Sequence, residues 1–272
     1  MSDAAIALPV PAERSGIERF TGAVEDTLAM TWRGLLTYLR VPQLLVFSTI
    51  QPVILVLLFR YVFGGVVQGD ISVPYVDYLL PGVFVQITVF GAMTTSVGLA
   101  TDLKSGLLER FRSLPMARSA VLTGRTTADL FRNLFVIILV TLVGFAVGFR
   151  VHTDALGLVA GMGLVLLFAY SLSWVFAGVG LAVGDPETAQ AAAFPIVAPL
   201  IFASSAFVPV GSMPGWLQPF AEHQPVSVTA SAVRALMIGG EASAYVWQSL
   251  AWIVAIIAVA APLAVRRYRR AV

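Results

Sequence analysis

Residues 44–64 read LLVFSTIQPVILVLLFRYVFG. A helix rises about 1.5 Å per residue, so roughly 20 apolar residues cross the ~30 Å hydrocarbon layer of a bilayer. Comparable runs recur at about 79–101, 129–149, 157–183, 189–210 and 246–265. The whole chain of 272 residues is 58% hydrophobic and 12% charged, with a mean hydropathy of +0.87. A soluble domain of this size would have to bury all these runs at once. The expected fold is therefore all-α and polytopic, with six transmembrane helices. Residues 1–43 precede the spans, 44–265 hold them, and 266–272 form a basic tail. Residues 157–183 are long for one crossing, which predicts a tilt or a short turn at one end.

Charge gives an orientation. Arg14, Arg19, Arg33 and Arg40 precede the first span. Lys104, Arg110, Arg112, Arg118, Arg125 and Arg132 lie between spans two and three or at the start of the third. Arg266, Arg267, Arg269 and Arg270 follow the last. Only Arg60, Arg150 and Arg234 fall on the other side. By the positive-inside rule both termini are cytoplasmic.

Several chemistries are excluded or weakened. There is no cysteine, hence no thiol catalysis, disulfide or cysteine metal site. His152 and His223 stand apart between spans, so no metal site is expected. The first 43 residues lack the basic cluster and short apolar core of a secretory leader. Before the first span, Phe20, Val24, Leu28, Trp32, Leu35, Leu36 and Leu39 recur at helical spacing, with Arg33 and Arg40 on the wetter side. That pattern suits an interfacial helix, or a solvated helix packed on the protein itself. Pro42 ends it.

The most charged loop is KSGLLERFRSLPMARSAVLTGR, residues 104–125. Leu107, Leu108, Phe111 and Leu114 fall at i, i+1, i+4 and i+7 and form one apolar stripe, with Glu109, Arg110 and Arg112 on other faces. Pro115 ends this short amphipathic helix. Two readings fit it: a positively charged loop near anionic headgroups, or an apolar knob with a charged rim for a protein partner. The run GLATDLKS (98–105) approximates a phosphate loop, but Leu103 replaces the second glycine and no strand precedes it. The chain is thus not expected to bind nucleotide. At 184–187, GDPE supplies Asp185 as a cap with Pro186 and Glu187 in the first turn, either a plain helix start or a second contact.

The 104–125 loop resembles the cytoplasmic loop of ABC-2 type exporter permeases, in particular the daunorubicin-resistance subgroup. There a glycine, two residues, an acid, then Leu-Pro and an arginine mark a coupling helix. Here those positions are Gly106, Glu109, Leu114-Pro115 and Arg118. MPGWLQPFAEHQPVSVTASAVRALMIGG (213–240) is similar to the family's segment before its last span. The resemblance implies a permease half without its own motor. A separate ABC ATPase, in two copies, would bind ATP and Mg²⁺ and dock on Gly106, Leu107, Leu108, Glu109, Arg110, Phe111, Arg112, Leu114, Pro115 and Arg118. Asp185 and Glu187 form a second candidate contact. A second permease half, identical or related, would share the path. No nucleic acid is implied.

For the path itself, Gln51, Gln86, Thr94, Tyr170, Trp174 and Ser204 are polar or amphipathic positions among large apolar side chains. Such a lining suits a hydrophobic drug or a lipid, and each residue suits helix-to-helix hydrogen bonding equally. A lipid-linked glycan is the alternative cargo. An ATP-independent carrier would need coupling-ion residues inside the spans, and no acid lies clearly at a span centre. An intramembrane hydrolase lacks a nucleophile–base pair.

Overall fold

The computed structural model describes residues 16–63, 73–112 and 118–271. Among them are α1 (Gly16–Arg40), α2 (Pro42–Leu58), α3 (Tyr75–Lys104), α4 (Leu107–Arg112) and α5 (Arg118–Ala146). There follow α6 (Ala155–Val183), α7 (Pro186–Phe202), α8 (Gln218–His223), α9 (Pro225–Ile238) and α10 (Ala242–Ala271). A π-helical turn, Phe59–Phe63, extends α2.

α3 is the axis. It packs on α5, α6, α7 and α9, and Leu79, Leu80, Val83, Phe84 and Val85 are fully buried. Its sequence is apolar on all sides, as a helix surrounded by others requires. Against α5 it runs antiparallel, pairing Leu80 with Gly144, Gly91 with Asn133 and Arg132, and Gly98 with Arg125. The glycine pair Gly91 and Gly98, two turns apart, lets α5 place polar side chains where a Cβ would collide. Gly144 and the pair Gly157/Gly161 likewise make contacts within the chain, to Leu80, Leu236 and Met237. α2 lies at the periphery, with Phe47, Ile54 and Tyr61 exposed.

Among the described residues, five helices are long and apolar enough to cross a membrane, those containing Leu45–Val62, Tyr75–Lys104, Ser119–Ala146, Ala155–Val183 and Ala242–Arg270. The run 157–183 is one unbroken helix capped at both ends. The Asp154 carboxylate accepts from Gly157 N at 2.7 Å, and Gly184 closes it at φ 74°. The expected span 189–210 differs. Its helix, α7, has 17 residues and stops at Phe202, about 25 Å of rise. Four carbonyls of the irregular backbone after it are taken up by side chains. Gln224 Nε2 donates to Ala203 O (2.5 Å), Tyr78 Oη to Ser205 O (3.1 Å) and Tyr75 Oη to Phe207 O (3.1 Å). Arg234 Nη2 donates to both Ser205 O (2.5 Å) and Ala206 O (2.9 Å). Non-helical backbone inside a packed bundle is tolerated only when its carbonyls are paired in this way. The chain then returns through the short helices α8 and α9.

α1 packs on α5 through Thr27, Thr31, Gly34 and Tyr38, a stripe at helical spacing. The Thr31 hydroxyl lies 3.4 Å from Gly124 O, and a Cβ on Gly34 would meet Ala128. Val24, Leu28, Trp32 and Leu39 remain exposed. These four side chains face away from the rest of the described chain, while Leu35 and Leu36 of the same apolar pattern are half-buried. The Phe20 side chain is outside the described residues.

Candidate functional site

Two places gather the expected residues. The first is the end of the bundle where α3 passes into α4. Gly106 makes the turn at φ 69°. Leu108 is 1% exposed and packs with Leu99, Leu122, Trp174 and Tyr268. Phe111 is partly buried, with the Arg33 guanidinium 5.1 Å from its ring centre. Leu108 and, in part, Phe111 therefore anchor α4 into the chain's own bundle. Leu107 is half-buried, and Glu109 and Arg110 are exposed. Leu114 and Pro115 lie outside the described residues, as do the side chains of Arg112 and Arg118.

Asp185 joins this surface. Lys104 Nζ donates to its Oδ1 at 2.6 Å, while Oδ2 accepts from Thr188 N (3.1 Å) and Oγ1 (3.0 Å). The Lys104 hydrogen bond, then the Thr188 N–H, hold the Asp185 carboxyl down at about 2. One side chain thus caps α7 and links it to the α3–α4 turn. Glu187 is exposed beside it.

The second place lies deeper on the α3–α5 contact. Arg125, Asp129 and Arg132 occupy one face of α5, at i, i+4 and i+7. Asp129 is 1% exposed and accepts from Tyr38 Oη (2.5 Å) and Thr95 Oγ1 (2.6 Å). Arg125 reaches Asp102 (3.0 Å) and lies 3.7 Å from Asp129. Burial, and then the neighbouring Asp129 carboxylate, push the Tyr38 phenol well above its usual range, so it stays a donor. The sequence reading expected no acid at a span centre; Asp129, at the margin of the run 129–149, is a buried carboxylate it missed. Asp77 is another, 1% exposed, accepting from Arg150 N (2.9 Å) and facing His152 Nε2 at 2.7 Å.

Beside this network a cavity of 370 Å³ opens among α2, α3, α5 and α7, lined by Gln51, Gln86, Thr94, Arg132, Asn133, Gln190 and Phe194 among others. Three of the six expected path residues, Gln51, Gln86 and Thr94, meet here. Tyr170 and Trp174 do not: they form an edge-to-face pair on α6, and Trp174 borders a separate groove with α10. Ser204 is buried, its hydroxyl on Ile201 O (2.5 Å) and accepting from Ala206 N (3.2 Å); it shapes the end of α7. Arg132 and Asn133 were not foreseen. Their signal is the polar face of α5 opposite two glycines seven residues apart.

Residues 25–238 match the family model described as ABC-2 type transporter. The chain is 35% identical over 247 residues to the "Daunorubicin resistance ABC transporter permease protein DrrB1" of Streptomyces coeruleorubidus, covering 91% of this chain and 87% of that protein. It is 26% identical over 249 residues to the "Probable doxorubicin resistance ABC transporter permease protein DrrC" of Mycobacterium tuberculosis, covering 91% and 90%.

Proposed function

The chain belongs to the ABC-2 type transporter family, and on that premise we propose that it is the permease half of a bacterial ABC exporter, moving a hydrophobic drug or lipid outward. Its relatives named for daunorubicin and doxorubicin resistance support that cargo class. ATP and Mg²⁺ are bound by a separate ATPase, in two copies, and a second permease half completes the path. α7 acts as the sixth crossing despite its length, which puts both termini and α4 on the cytoplasmic side.

The observation that carries this reading is the exposed charged edge at Glu109 and Arg110, held by buried Leu108 and tied through Lys104 to Asp185. Such an edge is rigid enough to transmit a push to α3 and α7 together. The test is mass spectrometry of proteins co-purified with wild type and Glu109→Arg from native membranes. A phosphate-loop ATPase recovered with wild type and depleted in the variant supports the reading. Absence of any ATPase from both, under conditions that keep other membrane complexes intact, sinks it.

A further inference from the structure

A groove of 480 Å³ runs along the outside of the bundle between α6 and α10. Trp174 and Gly178, one turn apart on α6, line one wall, and Trp252, Val259, Leu263 and Arg267 of α10 line the other. A glycine leaves it open: a Cβ at Gly178 would meet nothing within 4 Å. Trp252, Val259 and Leu263 are exposed, so the groove lies on the flank of a helix that is long and apolar enough to cross a membrane. From Trp252 to Arg267, about four helical turns, the rise is roughly 22 Å, more than the ~15 Å depth of one leaflet's hydrocarbon. An apolar groove of that length, facing hydrocarbon, is filled by a chain-like molecule, because an empty one forfeits the dispersion contacts of both walls.

One end of the groove is basic. Arg267 Nη1 donates to Gly178 O at 3.0 Å, its one partner among the described residues, and a guanidinium has several more N–H donors to give. α10 contains no aspartate or glutamate. No ion pair joins Arg266, Arg267, Arg269 or Arg270 to the described residues, and all four are exposed. The groove thus combines an apolar length with a cationic end that the chain does not neutralise. A phospholipid of net negative head is complementary to both. Other occupants match less well. A second copy related by a twofold axis along the membrane normal would set this basic end against its own image, and a cationic amphiphile would bring its charge beside Arg267.

We infer that the α6–α10 groove is a binding site for an anionic phospholipid, with one acyl chain against Gly178 and the phosphate on Arg267. The lipid is a resident of the protein's flank and not cargo, so the cargo class proposed above is independent of it. Tyr268, the next residue, is buried and belongs to the same cluster as Leu108. The lipid therefore closes the gap between α6 and α10 at the end of the bundle that carries α4.

The test titrates the full-length chain, purified in detergent micelles, with phosphatidylglycerol and phosphatidylcholine of identical acyl chains. Native mass spectrometry counts the lipids retained. Phosphatidylglycerol is expected to bind about fivefold more tightly. Arg267→Gln is expected to abolish that preference, while Arg269→Gln, an equal loss of charge on the opposite side of α10, leaves it within about twofold. Gly178→Leu fills the groove without changing charge and is expected to weaken both lipids about tenfold. Val259→Trp narrows the groove from the other wall and decides the matter if Gly178→Leu lowers the melting temperature. Equal binding of the two lipids overturns the assignment. So does a preference that Arg269→Gln weakens as much as Arg267→Gln, which would spread the lipid over the whole basic tail. Binding untouched by both groove-filling variants also overturns it, as does a dimer lost in Gly178→Leu with no lipid retained, which would give the groove to a second copy. No step needs an ATPase or a cargo molecule, so the result stands apart from the exporter reading.

Discussion

Arg125 crosses α3 at Gly98 so closely that a Cβ on that glycine would lie 1.7 Å from Nη2. The contact lets a guanidinium from α5 lie against the backbone of α3 and reach Asp102, one turn further along the same face. Gly98→Ala is expected to displace the guanidinium and loosen that pair, costing about 1–2 kcal/mol. Gly180→Ala is the harsher change, because the obstacle there is backbone, Ser96 O at 2.3 Å. It is expected to cost about 1–3 kcal/mol by separating α6 from α3. Thermal melts of the two purified variants test the ranking; a larger loss at Gly98 would contradict it.

Asp129 joins three helices with one carboxylate. Asp129→Ala leaves Arg125 with Asp102 as its counter-charge but removes the acceptor of both Tyr38 and Thr95, for an expected loss of about 2–5 kcal/mol. Tyr38→Phe removes a single donor and is expected to cost about 1–3 kcal/mol. Both should free α1 from α5. Limited proteolysis reads this as faster cleavage within Gly16–Arg40, and an unchanged cleavage rate in Asp129→Ala would count against the role given to the carboxylate.

Leu108 and Glu109 are neighbours with opposite tasks. Leu108→Ala hollows the buried cluster and is expected to cost about 2–5 kcal/mol. Glu109→Arg changes an exposed side chain and should leave the melting temperature nearly unmoved while abolishing recovery of the ATPase. If Glu109→Arg melted as early as Leu108→Ala, lost recovery would report unfolding rather than docking.

The link between Lys104 and Asp185 has a pH signature. The Asp185 carboxyl is held at about 2, below its ordinary 3.8. Its stabilising contribution is therefore complete above the ordinary value and fades as the pH falls toward the lower one. The melting difference between wild type and Asp185→Asn is expected to be small, on the order of 1 °C, because the pair is exposed to solvent. It should stay constant from about pH 5 upward and shrink below about pH 4. A difference that instead changed between about pH 6 and 8 would show that another group governs the link.

Much of this architecture is legible in the sequence because apolar length and helical period are local properties. The run 44–64 foretells α2, the stripe of 107–111 foretells α4, and Asp185-Pro186 foretells the start of α7. What local pattern does not encode is which way a face turns. Leu108 reads the same whether it points to a partner or into the chain's own buried cluster. Arg132 reads as one more basic residue near a loop until α3 is laid antiparallel beside it and Gly91 and Thr94 take up its guanidinium. The early end of α7 was hidden for a related reason: the groups that permit it, Tyr75, Tyr78, Gln224 and Arg234, lie far away in the chain. Gln51, Gln86 and Thr94 were found by polarity alone; their grouping in one chamber, and the exclusion of Tyr170 and Ser204 from it, needed the fold.

The burial of α3 also constrains how the protein is made. Synthesis delivers α3 before α5, α6, α7 and α9, the helices that cover it. Asp77 and Thr95, both buried in the finished bundle, are at that moment without the later residues they pair with, and lipid cannot satisfy them. α3 must therefore be sheltered by the insertion machinery until α5 brings Asp129 to Thr95, and later still until the loop before α6 brings Arg150 and His152 to Asp77. A nascent chain stalled before that loop holds α3 with a bare buried carboxylate at Asp77.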